Sequence, residues 1–376
     1  MNGLNNVLTA SRLTGMVSCF RRSFWNSEIG LRSTAPVHGA LRFGTAWHLA
    51  MEARWTGCAY DAALKHALPE GVEMDEFECA KLAGLLAGYY HYYGQIEDVG
   101  HLHSEVQFQY PMEGMPFTLE GKIDGLGTMD DGQPVIMEFK TTGQSISPDA
   151  DYWLRLAFNV QVYQYVDAAR HLGWDIRKVF YDVTRKPLLE RKEVFDLDDY
   201  GRKIIVDVNG KRIYRTKKVK TKVPVRTSTR KGAKITFKAV TKEVDDLERP
   251  RLSPDEKAGM FVKSHAETPD EYCERIFEDC KLRPQFYFAR REIAVIDDQI
   301  ESFRRHRIAL ANLILHMRES EEAKPRDPEA WPRHVDHDTC FFCDYKNFCL
   351  QNISVDFKNP PNGYAIKQFN EELQKP

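Results

Sequence analysis

Gly121-Lys122-Ile123-Asp124, a turn at Asp130-Asp131-Gly132-Gln133-Pro134, and Val135-Ile136-Met137-Glu138-Phe139-Lys140-Thr141-Thr142 form the stretch that decides how this chain folds. Asp-Gly between two apolar, β-branched runs is hairpin chemistry, so Phe117 to Thr128 and Val135 to Thr142 read as paired strands. Side chains alternate along a strand, which puts Glu138 and Lys140 on one face and Val135, Met137 and Phe139 on the other. Asp124 shares a face with Glu120 and Lys122, and the hairpin can bring it beside Glu138. Two carboxylates that close repel unless one takes a proton or both bind a cation. Oxygen ligands of this kind suit Mg²⁺ or Mn²⁺. A lone Glu-x-Lys is more often a surface ion pair on a half-exposed strand, so the weight lies in the whole pattern.

Working outward, apolar residues recur at helical spacing from Leu41 to Trp55 and from Phe77 to Tyr93. His103 to Tyr110 reads as a further strand, Tyr152 to Leu172 as one long helix, and Lys178 to Thr184 as a strand ending before Lys186-Pro187. Helical pattern resumes from Pro269 to Cys280 and from Gln299 to Arg318. The fold class is therefore α/β of the mixed α+β kind, a small central mixed sheet flanked by helices. The expected organisation is a helical part at 1–100, a core at 101–186, a basic insertion at 187–268 forming a β-ribbon or loop, helices with a cysteine cluster at 269–355, and a loosely held tail at 356–376.

The motifs resemble the PD-(D/E)XK nuclease superfamily, in particular its RecB-like branch. Gly121 to Asp124 matches the family's G-x-x-D, Glu138 to Lys140 its (D/E)-x-K, Gln161 and Tyr165 its Q-x-x-x-Y, and Gly44 to His48 an upstream G-x-x-x-H. The resemblance implies a restriction-endonuclease-like core over about residues 40 to 185. It further implies that His48, Asp124, Glu138 and the Phe139 backbone carbonyl hold the catalytic metal. Lys140 would act on the nucleophilic water, and Gln161 and Tyr165 would position water, lysine or DNA. Glu105 is an outer candidate, because its strand can run beside Asp124.

Cys19 stands apart from Cys340, Cys343 and Cys349, the last three in C-x2-C-x5-C. Four such thiols can hold iron–sulfur or zinc, and His334 and His337 leave an all-local zinc site open. The split placement is similar to that of iron–sulfur nucleases of the AddB type and of CRISPR-associated exonucleases. That likeness implies a [4Fe–4S] staple outside the hydrolytic centre, and the general layout resembles phage-encoded members. Cys58, Cys79, Cys273 and Cys280 show no clustering.

The chain has 376 residues, 42% of them hydrophobic, enough for a large core. Its net charge of -2 hides a track between Arg202 and Lys242 in which fifteen lysines and arginines meet almost no acids. Lys211, Arg212, Arg215, Lys217, Lys218, Lys220, Lys222, Arg226, Arg230 and Lys231 are the candidate DNA contacts. No run approaches the roughly 18 apolar residues of a membrane span, and the start lacks signal-peptide character, so the expectation is a soluble cytoplasmic protein. Together with the resemblance, these features predict a metal-dependent exonuclease acting on single-stranded DNA or duplex ends. The competing classes are a structure-specific endonuclease and a non-catalytic DNA-binding module. No phosphate loop of the Walker type is visible, so any helicase or recombination motor would be a separate partner.

Overall fold

The computed structural model describes residues 5–35, 39–69, 74–94, 99–226, 228, 234–250, 253–321, 327–351, 355 and 359–367. The chain forms two compact units, one of residues 1–188 with 273–376 and one of residues 189–272.

The first unit is built on a six-stranded mixed sheet. Thr118–Thr128 is its hub, pairing antiparallel with Gly100–Pro111, parallel with Val7–Leu8 and antiparallel with Pro134–Thr142. Pro134–Thr142 then runs parallel to Lys178–Arg185, which pairs antiparallel with Phe288–Ala294. The hairpin turn works as its residues dictate: Gly132 takes φ 82°, and the Asp131 side chain accepts from the Gln133 amide at 2.9 Å.

The connection between the two parallel strands carries helices, but not the single helix anticipated over Tyr152 to Leu172. It breaks into Asp151–Ala157 and Val160–His171. Asn159 causes the break, because its side chain accepts from the Gln161 amide at 3.0 Å and starts a new helix as an N-cap. Gln161 thus lies in a capped first turn.

Burial follows from the parallel pairing, which requires cover on both faces. Ile136, Met137 and Phe139 are buried, and so is Glu138 at 2% exposure, which overturns the picture of a half-exposed strand carrying a surface ion pair. Gly121 lies directly opposite Phe108 in the strand pairing. A Cβ there would lie 2.5 Å from the Phe108 ring, so the first residue of the G-x-x-D pattern has a steric reason to be glycine.

A separate apolar cluster joins the two ends of the chain: Leu8, Leu13, Phe24 and Trp25 share it with Phe303, Ile314, Trp331 and Phe348. Part of the tail is held as well, since Tyr364–Ile366 pairs antiparallel with Leu31–Ser33, and the Tyr364 hydroxyl donates to the Asp344 carbonyl at 2.5 Å. The expectation of a loose tail fails at that point because a strand edge was available to pair; residues 356–358 and 368–376 lie outside the described residues.

The second unit contains two small ladders, Glu193–Phe195 with Ser264–Ala266 and Ile205–Asp207 with Met260–Val262. It also contains a long antiparallel ribbon of Tyr214–Arg226 against Ile235–Pro250. Cross-strand pairing carries the second strand from Ile235 into the acidic stretch as far as Asp246, where the register shifts before Pro250.

Candidate active site

The ladder between Thr118–Thr128 and Pro134–Thr142 ends at the pair Gly125 and Met137. Asp124 and Glu138 are the first residues beyond it, where the strands part. In place of a backbone partner, the Phe139 amide donates to Asp124 Oδ2 at 3.0 Å. This bond fixes the Asp124 carboxylate beside the strand that bears Glu138 and Lys140.

On the Glu138 side, Lys140 Nζ donates to Glu138 Oε1 at 2.5 Å and to Gln161 Oε1 at 3.0 Å. Gln161 Nε2 lies 2.7 Å from Glu138 Oε1 and 3.0 Å from the Tyr165 hydroxyl. The four-residue spacing of Gln161 and Tyr165 puts both on one helix face, as read from the sequence. His48, on the Gly39–Trp55 helix, sets Nδ1 3.5 Å from Asp124 Oδ2. Asp124, Glu138, Lys140, Gln161, Tyr165 and His48 are therefore gathered at one place from two strands and two helices.

The electrostatics follow from burial. Loss of water pushes the Glu138 carboxyl well above the usual carboxylate range, with the Asp124 charge adding and Lys140 opposing. Burial alone would lower the Lys140 ammonium, yet Glu138 and Asp124 hold it above its ordinary value. His48 is lowered by desolvation, with Lys140 and Lys122 adding, although 36% of its side chain is exposed. A neutral imidazole is the form that can ligate a metal.

Glu138 Oε2 is buried and finds no hydrogen-bond partner among the described residues. An uncompensated buried carboxylate oxygen is costly and suits a cation. Carboxylates at positions 124 and 138 with a neutral imidazole at position 48 make an oxygen-rich donor set of the kind Mg²⁺ or Mn²⁺ takes. Among the described residues, no three His, Cys, Asp or Glu side chains are already drawn together as a closed metal-binding group.

Above Asp124 opens a cleft of about 670 Å³, lined by His48, Glu52, Glu105, Lys122, Asp124 and Tyr165 among others. Glu105 lies across from Asp124 in the strand pairing, between the pairs Ser104 with Gly125 and Val106 with Ile123. It adopts φ 52°, the one non-glycine residue in the left-handed region among the described residues, and pairs with Lys122. Glu52 and Tyr181 were not foreseen. Tyr181 pairs in register with Glu138, and its buried hydroxyl lacks a partner among the described residues. Only the parallel register reveals it, and that register is not a local sequence signal.

The four cysteines share one cavity without being drawn together as a metal-binding group. Cys19, Cys340, Cys343 and Cys349 line one cavity of about 340 Å³ together with His334 and His337. Cys343 sits in the turn between His337–Phe341 and Lys346–Gln351, with its amide donating to the Cys340 carbonyl at 3.2 Å. The His334 amide lies 3.5 Å from Cys19 Sγ. Burial raises the Cys343 and Cys349 thiols above their ordinary values. The candidate DNA contacts Lys211, Arg212, Arg215, Lys217, Lys218, Lys220, Lys222 and Arg226 all lie in the second unit, on or next to the ribbon. Arg230 and Lys231 lie outside the described residues.

A mixed sheet whose hairpin strands part beneath paired carboxylates defines a restriction-endonuclease-like nuclease fold. A family model described as the PD-(D/E)XK nuclease superfamily matches residues 7–350, and the chain belongs to that superfamily. No curated protein matches it. Among solved structures, one described as "Crystal structure of SSO0001" aligns at 12% identity with a TM-score of 0.23, over 49% of this chain and 65% of that one. The chain thus spans about two thirds of that protein's length. No helix among the described residues is long and apolar enough to cross a membrane.

Proposed function

We propose that this chain is a Mg²⁺- or Mn²⁺-dependent DNA exonuclease of the RecB-like, AddB-type branch, acting on single strands or duplex ends during recombination, repair or phage DNA processing. The observation that carries the hydrolytic reading is the buried, unpartnered Glu138 Oε2 beside Asp124, with Lys140 and Gln161 bonded to the other oxygen of the same carboxylate. Asp124, Glu138, His48 and the Phe139 carbonyl would hold the ion. When bound, it supplies positive charge to a phosphoryl oxygen and makes water a better nucleophile at neutral pH. Lys140, held as an ammonium by Glu138 and Asp124, would orient that water by donating a hydrogen bond, with Gln161 fixing the lysine and Tyr165 fixing Gln161. The exonuclease preference, with a 5′ to 3′ direction, comes from the family resemblance, as do phage origin, a cytoplasmic location in the host and work alongside a separate helicase or recombination partner.

Cys19, Cys340, Cys343 and Cys349 are assigned to a [4Fe–4S] cluster, supported by their all lining one cavity. His334 and His337 on the same wall favour a second reading, zinc. Elemental analysis of anaerobically purified protein separates the two: iron and sulfide with brown colour is expected, and colourless protein with zinc alone overturns the cluster. Incubation with end-labelled linear and covalently closed circular DNA tests the mode of attack. Degradation of the linear form with the circle intact is expected; nicking or opening of the circle makes the enzyme an endonuclease.

A further inference from the structure

The ribbon of Tyr214–Arg226 and Ile235–Pro250 is divided by charge in a way that only its register reveals. Its basal part, residues 214–218 against 243–250, carries Arg215, Lys217, Lys218 and Arg249 against Glu243, Asp245, Asp246 and Glu248, four cations and four acids. Lys217 pairs with Asp246 at 3.3 Å, and Thr216 donates to Glu243 at 2.5 Å. Its distal part, residues 219–226 against 235–242, carries Lys220, Lys222, Arg226, Lys238 and Lys242 and no acid. None of these five forms an ion pair among the described residues.

The distal part is also bare on both faces. Phe237 is 65% and Ile235 54% exposed, and the five cations are exposed too. An isolated two-stranded ribbon is marginal in water, so one projecting this far without cover is a surface prepared for a partner. Charge complementarity selects the partner, because an acid-free cationic run faces polyanions and a nuclease encounters one. Shape selects the form, since the major groove of B-DNA is about 12 Å wide and admits a two-stranded β-ribbon.

Resting on the nuclease reading above, we propose that the distal half of this ribbon is an arm that grips duplex DNA along a groove, while the basal half is a neutralised stem that does not contact it. This withdraws Arg215, Lys217 and Lys218 from the candidate contacts, because acids of the facing strand offset their charge. Lysines on exposed strand edges also guard against edge-to-edge aggregation. That role requires no exclusion of acids from one half.

The test compares two triple variants in a Glu138→Gln background, which blocks cleavage: distal Lys220→Gln/Lys222→Gln/Lys238→Gln and basal Arg215→Gln/Lys218→Gln/Arg249→Gln. Fluorescence anisotropy measures binding to a labelled 30-base-pair duplex and to a single strand of equal length, each across a salt series. The distal variant should bind duplex on the order of 10²-fold more weakly at 0.1 M salt, with its log–log salt slope shallower by about 2.7. The basal variant should change by less than about threefold in the same assay. Equal effects of the two variants, unchanged duplex affinity of the distal one with or without aggregation, or a larger loss on single strands than on duplex overturns the proposal. Cleavage by the protein with its native Glu138 is scored separately. Absent cleavage with an intact distal effect removes the nuclease reading alone, and normal cleavage without a distal effect removes the arm alone.

Discussion

Lys140 donates to both Glu138 and Gln161, so its ammonium is aimed by two acceptors rather than left to swing on its stem. A group held this way can present one proton to a water above Asp124. Lys140→Ala should lower the turnover number by about 10² to 10⁴-fold with little change in substrate affinity, checked by steady-state kinetics on linear DNA. Gln161→Ala should cost less, about 10 to 100-fold, because it acts through the lysine and the carboxylate. These side chains were legible in the sequence because strand and helix periodicities put each pair on a shared face. Glu105 and Tyr181 were less so: their positions depend on which strand lies opposite which, information spread over the whole sheet.

At the level of elements, the two hairpin strands part just beyond Gly125 and Met137, and Asp124 at that point lines the cleft. The break at Asn159 has a similar positional role, since it starts the helix that carries Gln161 and Tyr165. Asn159→Ala should cost about 1 kcal/mol of stability through the lost cap, read from denaturant unfolding, and should lower activity by loosening Gln161. Gly121→Ala should destabilise by roughly 1–3 kcal/mol, since the Phe108 ring must move to admit a methyl group; an unchanged midpoint in the same unfolding measurement would contradict this packing. The hairpin was readable because its turn residues are local. The helix break was not, because the apolar pattern runs on through Phe158, which is 77% exposed in the structure, and an N-cap asparagine within such a pattern looks like any polar position.

Across the whole molecule, the two ends of the chain are joined by polar and apolar contacts that need no metal. Arg21 Nε donates to the Trp331 carbonyl at 2.7 Å, Arg318 bridges to Glu28 at 2.8 Å, and Trp331 is fully buried among residues from both ends. A metal clasp at the proposed cysteine site, closing more than 300 residues, would strongly restrict the unfolded chain if it acted alone, but here it would add to an existing apolar seam. Cys19→Ala should therefore lose the bound metal and lower the melting temperature while keeping a cooperative transition. Trp331→Ala, at about 3–5 kcal/mol, should be the more damaging change in calorimetry. The split cysteines suggested a closure of the chain ends from the sequence alone, whereas the seam that the structure shows is formed by ordinary Leu, Phe and Trp residues with no marking pattern. The central claim is that Glu138 anchors metal-dependent hydrolysis at the parting of the strands. Its most direct test is the rate of linear DNA degradation by wild type and Glu138→Gln over a Mg²⁺ and Mn²⁺ titration, with circular dichroism to verify folding. The account predicts metal-dependent cleavage by wild type and at least about 10²-fold less by the folded variant; cleavage by the variant at the wild-type rate and metal dependence would contradict it.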